Sequence, residues 1–217
     1  MMTPIKMLLM IHVVVFGLKE NRLHVLLEQQ QGEWLLPGEE LGVDEAMEET
    51  ADRQIRRLTG VEESYLEQLY TYGDPQRVPG QRCISVVYFG MIPADTLNDE
   101  GAEPCHQKWF PVTDLPQLGY DHGEIVTYAL RRLRYKLEYS AVGFELLPEL
   151  FTLTELQKMY EIVLGEKLDK RNFRRRILEA NIIEATPYSR MGEGRPARQY
   201  RYRADAVAEV KTRRLFP

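Results

Sequence analysis

Between Leu168 and Arg203 the chain reads LDKRNFRRRILEANIIEATPYSRMGEGRPARQYRYR, and this stretch holds the side chains best suited to chemistry with a polyanion. Lys170, Arg171, Arg174, Arg175 and Arg176 fall within seven residues of helical pattern. An arginine donates in pairs to guanine, an asparagine amide suits adenine, and each cation neutralises a phosphate. A helix entering the major groove presents its N-terminal half, which here carries Lys170, Arg171, Asn172, Arg174 and Arg175. In the adjoining SRMGEGRPAR, Arg190, Arg195 and Arg198 stand around Gly192 and Gly194 and suit backbone or minor-groove contacts. The plainer reading is a solvated basic helix face followed by a loop with incidental charge. Five cations beside a basic hairpin favour the double-stranded DNA reading.

A second constellation lies near the front. Counting back from Gly60-Val61, the order and spacing resemble the Nudix box, G-x5-E-x7-R-E-U-x-E-E-x-G-U with U apolar. Glu39 stands at the opening glycine, just after Leu36-Pro37-Gly38, Glu45 at the first glutamate, Arg53 at the arginine and Ile55 at the apolar site. The three core carboxylate positions hold Gln54, Arg57 and Leu58. In active members those carboxylates gather Mg²⁺, and hard cations need anionic oxygen ligands. The reading is no catalytic residue, no metal and no cofactor. Glu45, Glu48 and Glu49 within one helical turn suit either a shifted cation site or a solvated acidic first turn. Arg57 has two readings: pairing with a ligand phosphate where the metal stood, or bridging to a nearby carboxylate.

The formal net charge of −5 is unevenly spread: residues 148–217 carry 15 Lys+Arg against 10 Asp+Glu, leaving 13 against 23 for the remainder. Segments of opposite sign imply two jobs, and the basic one suits nucleic acid. The two cysteines, Cys83 and Cys105, make neither a disulfide framework nor a metal quartet, and a reducing cytoplasm is the expected home. The apolar run Met7–Phe16 is too short to span a bilayer, and Val13-Val14-Val15 favour a buried strand. His12, His24, His106 and His122 are dispersed and form no triad or zinc set; each reads as structural or exposed.

The elements that must position these groups follow from pattern. Strands are expected at 7–17, 23–28, 66–72 and 83–92, with a short one at Trp109-Phe110 and a loop around Gly32, Pro37 and Gly38. A helix spans Asp44 to Leu58 and stops at Gly60; a second runs from His122 to about Glu138 on the stripe Ile125, Val126, Ala129, Leu130, Leu133 and Leu137. Thr154 is the expected N-cap of a helix over 155–164, and Asp169 that of a helix over 170–180. Phe173, Ile177 and Leu178 should face the core. Strands near 182–186 and 199–203 flank the turn, completing a winged helix-turn-helix. Along 199–203, Tyr200 and Tyr202 alternate with Arg201 and Arg203, so one pair faces inward and the other outward.

The whole chain resembles one family. WFPVTDLPQLGYDHGEI at 109–125, LEYSAVGFELLPELFTLTELQKMYEIVLGEKLDKRNFRRRILEANII at 137–183 and GDPQRVPGQRCISVVYF at 73–89 are similar to the Nudix-related transcriptional regulators. The resemblance implies an α+β fold: a Nudix-like mixed-sheet α/β/α sandwich over 1–140, followed by a winged helix-turn-helix domain over 141–217. It implies a cytoplasmic, homodimeric repressor that binds an operator and responds to a small effector, an ADP-ribose-like molecule, nucleotide sugar or pentose. Candidate effector contacts are Arg53, Arg57, Arg77 and Arg82 for an anionic ligand, with Trp34 and Tyr72 to stack on a base or sugar. The first rival is a Nudix hydrolase acting on a nucleoside diphosphate derivative; the second is an RNA-binding or protein-docking winged helix.

Overall fold

The computed structural model describes residues 7–97, 107–191 and 196–206. The front half is built on a mixed sheet of β1 (Met7–Lys19), β2 (Arg22–Gln30), β3 (Glu33–Leu35), β4 (Gly38–Glu40), β5 (Tyr65–Tyr72), β6 (Arg82–Met91) and β7 (Gln107–Pro111), with α1 (Met47–Thr59) and α2 (His122–Tyr139). Its main path runs β3-β2-β1-β6-β5, with β4 added beside β1 and β7 beside β2. The β1–β6 pair is parallel, from Met7 opposite Arg82 to Phe16 opposite Met91. A parallel pair at the centre of a sheet is covered on both faces, which is why β1 and β6 read as near-continuous apolar runs.

Side chains alternate across these strands. Ile11, Val13, Val15, Val86 and Tyr88 point to the face where Ala51, Ile55 and Leu58 of α1 pack. His12 points the other way, and its ring meets that of His122 at the start of α2, centroids 4.9 Å apart. α1 begins after Ala46, whose N–H donates to the Glu49 carboxylate at 3.2 Å, and ends at Gly60 in the left-handed region (φ 72°). The three-residue strands β3 and β4 replace the expected loop around Gly32, Pro37 and Gly38; they are too short for a periodic pattern to announce them.

Among the described residues the chain forms two compact units. The first takes in the residues up to Gly17, His24–Ile92 and Thr96–Leu130; the second takes Leu18–Leu23, Pro93–Asp95 and everything from Arg131 onward. The second includes the C-terminal part of α2, β8 (Phe151–Thr152), α3 (Leu153–Leu164), α4 (Lys170–Glu179), β9 (Ile183–Arg190) and β10 (Ala197–Tyr202). Its sheet has the order β8-β10-β9, both pairs antiparallel. Leu156, Met159, Tyr160 and Val163 of α3 and Phe173 and Ile177 of α4 fill its core, with the Tyr160 and Phe173 rings 5.6 Å apart.

Two local expectations are corrected here. The N-cap of α3 is Thr152, not Thr154: Thr152 Oγ1 accepts from Glu155 N–H at 3.2 Å while the Glu155 carboxylate accepts from Thr152 N–H at 2.8 Å. Thr-x-x-Glu is a reciprocal capping pair, whereas Thr154 has no partner carboxylate three residues on. Leu178 is 50% exposed rather than in the core. It lies at i+7 from Arg171 and i+4 from Arg174, on the outward stripe of α4, while Phe173 and Ile177 hold the inward one. Along β10, Gln199 is buried and Tyr200 and Tyr202 are half-buried, because the pairing with β9 shifts register between Arg198 and Tyr200. No helix of the described residues is long and apolar enough to cross a membrane.

Candidate functional site

The polyanion-facing candidates gather on α4 and the hairpin beyond it. Asp169 caps α4, its Oδ1 accepting from Asn172 N–H at 2.8 Å; such a cap contributes on the order of 1 kcal/mol. With Phe173 and Ile177 turned inward, Lys170, Arg171 and Arg175 are exposed. Lys170, Arg171 and Arg176 make no ion pair or side-chain hydrogen bond among the described residues. Arg175 Nη2 donates to Asn172 Oδ1 at 2.9 Å, and Arg174 Nη2 to Thr154 Oγ1 of α3 at 3.1 Å. The N-terminal half of the helix therefore presents a row of donors, with the one carboxylate of α4, Glu179, at its far end, a surface complementary to phosphate and to the acceptor edge of guanine.

The hairpin splits its candidates. Arg198 is exposed on β10. Arg190 is tethered: Nη1 pairs with Glu155 Oε1, and Nη2 donates to the Leu150 carbonyl at 3.2 Å. Its charge is thus partly spent on the start of α3. Arg195, with Gly192 and Gly194, lies outside the described residues, as do Cys105 and His106.

The effector candidates fall into separate places. Arg53 and Arg57 leave α1 toward carboxylates. Arg53 Nη1 sits 2.5 Å from Glu39 and Nε 2.9 Å from Glu45, while Arg57 Nη2 sits 3.2 Å from Glu39 and 3.6 Å from Glu28. The hydrogen bond from Arg53 holds the Glu45 carboxyl below its ordinary range. Glu28 moves the other way: burial raises its pKa, and the nearby Arg57 offsets this only in part. Gln54 points inward, fully buried, its Nε2 donating to the Ile11 carbonyl at 3.0 Å. Trp34 packs edge-on against Phe110, centroids 4.8 Å apart.

Arg77 and its surroundings form the other place. Its side chain is 3% exposed and its fork is fully engaged: Nε and Nη2 reach Asp121 at 2.9 and 2.7 Å, and Nη1 reaches Ser85 Oγ at 2.5 Å. Tyr72 lies with its ring 5.9 Å from that guanidinium, and burial pushes its phenol up to about 12. Arg82 donates to the Gly73 carbonyl at 2.9 Å. A cavity of about 220 Å³ opens here, lined on its polar side by His12, His122, Arg77, Gln30, Gln81 and Tyr120. Burial drops His12 to about 3 and His122 to about 4, so both imidazoles are neutral. Leu36 N–H donates to His122 Nδ1 at 3.0 Å. Gly38 is required beside them, since a Cβ there would meet His12 Cδ2 at 2.4 Å.

The cavity therefore collects Arg77 from the predicted set and leaves Trp34, Arg53 and Arg57 elsewhere. It also collects His12 and His122, which sequence reasoning set aside as dispersed. A polar residue interrupting the apolar run of β1, and Asp121-His122 opening a helix, were the available signs. Among the described residues no group of three or more His, Cys, Asp or Glu side chains could hold a metal ion.

The fold and these two surfaces define a winged-helix nucleic-acid reader on the same chain as a Nudix-fold ligand domain. A model of the NUDIX domain matches residues 8–130, and one of the NrtR DNA-binding winged helix domain matches residues 143–202. The chain is 34% identical over 204 residues to the ADPR responsive transcriptional repressor NtrR of Acinetobacter baylyi, spanning 90% of this chain and 82% of that protein. Shewanella oneidensis NrtR, crystallised with a 27mer DNA, superposes with a TM-score of 0.85 at 32% identity, over 95% of this chain and 96% of that one. The NUDIX domain of the same Shewanella protein, crystallised with ADP ribose, matches with a TM-score of 0.51 at 29% identity, over 59% of this chain and 89% of that one. This chain belongs to the Nudix-related transcriptional regulators, in which a Nudix domain is followed by an NrtR-type winged helix.

Proposed function

We propose that this protein is an effector-responsive transcriptional repressor: residues 141–217 bind a double-stranded DNA operator and residues 1–140 sense an ADP-ribose-like nucleotide sugar. The observation that carries the reading is the exposed donor row of α4, Lys170, Arg171 and Arg175, gathered in the N-terminal half of the helix and set on a winged helix of the NrtR type. The relatives described as an ADPR responsive repressor and as complexes with DNA and with ADP ribose support the same assignment. The protein acts in the cytoplasm as a homodimer whose two α4 helices read paired half-sites. Effector and operator binding are coupled, so each weakens the other by the same factor.

The box helix does not fit the Mg²⁺ that the Nudix fold commonly carries. Gln54 is committed to the Ile11 carbonyl, and Glu28, Glu39 and Glu45 are engaged by the guanidinium groups of Arg53 and Arg57. A cation there must displace two arginines. The domain therefore binds its ligand without cleaving it.

The test is a gel shift of the full chain on the duplex upstream of its own coding sequence, set against single-stranded RNA. Retardation of the duplex alone is expected; preference for RNA, or no retardation, contradicts the reading. Turnover of ADP-ribose with Mg²⁺ or Mn²⁺ would restore the hydrolase.

A further inference from the structure

The cavity beside Arg77 bears on which part of an effector sits where, an inference that rests on the reading that this domain holds a nucleotide sugar. Leu8, Met10, Leu35 and Leu36 give it an apolar wall. Apart from Arg77, its polar lining is neutral. Because Leu36 N–H donates to His122 Nδ1, the proton of that neutral imidazole is on Nε2, which leaves one directed N–H donor. Gln30 and Gln81 each add an amide that donates and accepts, and Tyr120 adds a hydroxyl. Arg77 is the one charged side chain among the described residues that line the cavity, and it is compensated by Asp121, with all three of its nitrogens engaged.

A diphosphate entering this space would shed its water against leucine and methionine and find no cation that was not already paired. Desolvating an anion without a compensating charge is among the largest penalties in protein chemistry. A hydroxylated or amide-bearing ring meets what it needs: apolar faces for its carbons and a few convergent neutral donors and acceptors. We infer that the cavity receives the uncharged, hydrogen-bonding ring of the effector, its sugar or its base, and excludes the phosphates, with His122 Nε2–H, Gln30 and Gln81 as hydrogen-bond partners. Arg77 is then a positioning residue: through Asp121 it fixes the turn that carries Tyr120 and His122.

Cys83 lines the same cavity and reports on it. With Cys105→Ser in the full chain, Cys83 is the single thiol, and its alkylation by iodoacetamide is followed by mass. ADP-ribose at ten times its dissociation constant is expected to slow alkylation roughly tenfold. Either adenosine or D-ribose is expected to protect as well, and which one does so identifies the ring; inorganic pyrophosphate is expected to have no effect. Protection by pyrophosphate, or an unchanged rate while calorimetry shows ADP-ribose bound, overturns the assignment. If ADP-ribose does not bind by calorimetry, the effector reading falls alone when a neutral fragment still protects, and both fall when none does. Gln81→Lys, at an exposed position, supplies a second test with the sign reversed. Weaker ADP-ribose binding agrees with a ring held in the cavity by Gln81; unchanged binding removes Gln81 from its partners, and tighter binding places a phosphate there and refutes the proposal.

Discussion

Arg174 Nη2 donates to Thr154 Oγ1 across 3.1 Å, so the guanidinium at the centre of α4 is held by a hydroxyl on α3. Thr154 is exposed and is not the helix cap, so removing its hydroxyl leaves the fold alone. Thr154→Val is expected to leave the melting temperature unchanged. It should weaken operator binding by roughly fivefold, the equivalent of about 1 kcal/mol for one hydrogen bond. Thr154→Ser should restore it. Fluorescence anisotropy on a labelled duplex reads both variants.

Phosphate contacts announce themselves through salt. Lys170→Ala and Arg171→Ala should each reduce the slope of log affinity against log salt by about 0.9. Arg190→Ala should reduce it less, because that guanidinium is already engaged by Glu155 and the Leu150 carbonyl. Equal losses for all three would show that the Arg190 tether breaks on binding.

Gln54 is expected to resist reversion to the glutamate of the Nudix box. Gln54→Glu replaces a buried donor to the Ile11 carbonyl with a carboxylate facing an oxygen. The loss is about 2–4 kcal/mol at neutral pH. A protonated glutamate can donate where the amide did, so the penalty shrinks as pH falls. Urea unfolding at pH 7.5 and pH 5 measures the difference, and a pH-independent loss would contradict the geometry.

His12 and His122 give the protein an acid-sensitive stability. Burial holds them at about 3 and about 4, whereas in the unfolded chain both titrate near the ordinary 6.5. Between those limits the unfolded state binds more protons, so stability is whole above pH 6.5 and falls as pH drops toward 4. Each imidazole contributes up to about 1.4 kcal/mol per pH unit. The double variant His12→Gln/His122→Gln should flatten the profile between pH 7 and 5.

Much of this architecture is legible from local chemistry. Gly60 ends its helix in the left-handed region and Asp169 caps α4, as the sequence pattern places them. The basic row of α4 and its inward pair Phe173 and Ile177 also follow from helical spacing. What stays hidden depends on distant pairing. His12 and His122 are 110 positions apart and meet only because β1 turns one to the face that α2 covers. The bond of Arg77 to Asp121 spans 44 positions, and nothing near either residue announces it. The Thr152 cap is local as well, marked by Glu155 three residues on, whereas Thr154 has only its nearness to the apolar run of α3.

One titration tests effector-released repression most directly: the full chain on its labelled upstream duplex, followed by anisotropy as ADP-ribose is added, with the nucleotide recovered and weighed by mass afterward. The account predicts that anisotropy falls to that of free DNA and that the ADP-ribose returns intact. DNA that stays bound at saturating ADP-ribose, or a nucleotide recovered as AMP and ribose phosphate, would contradict it.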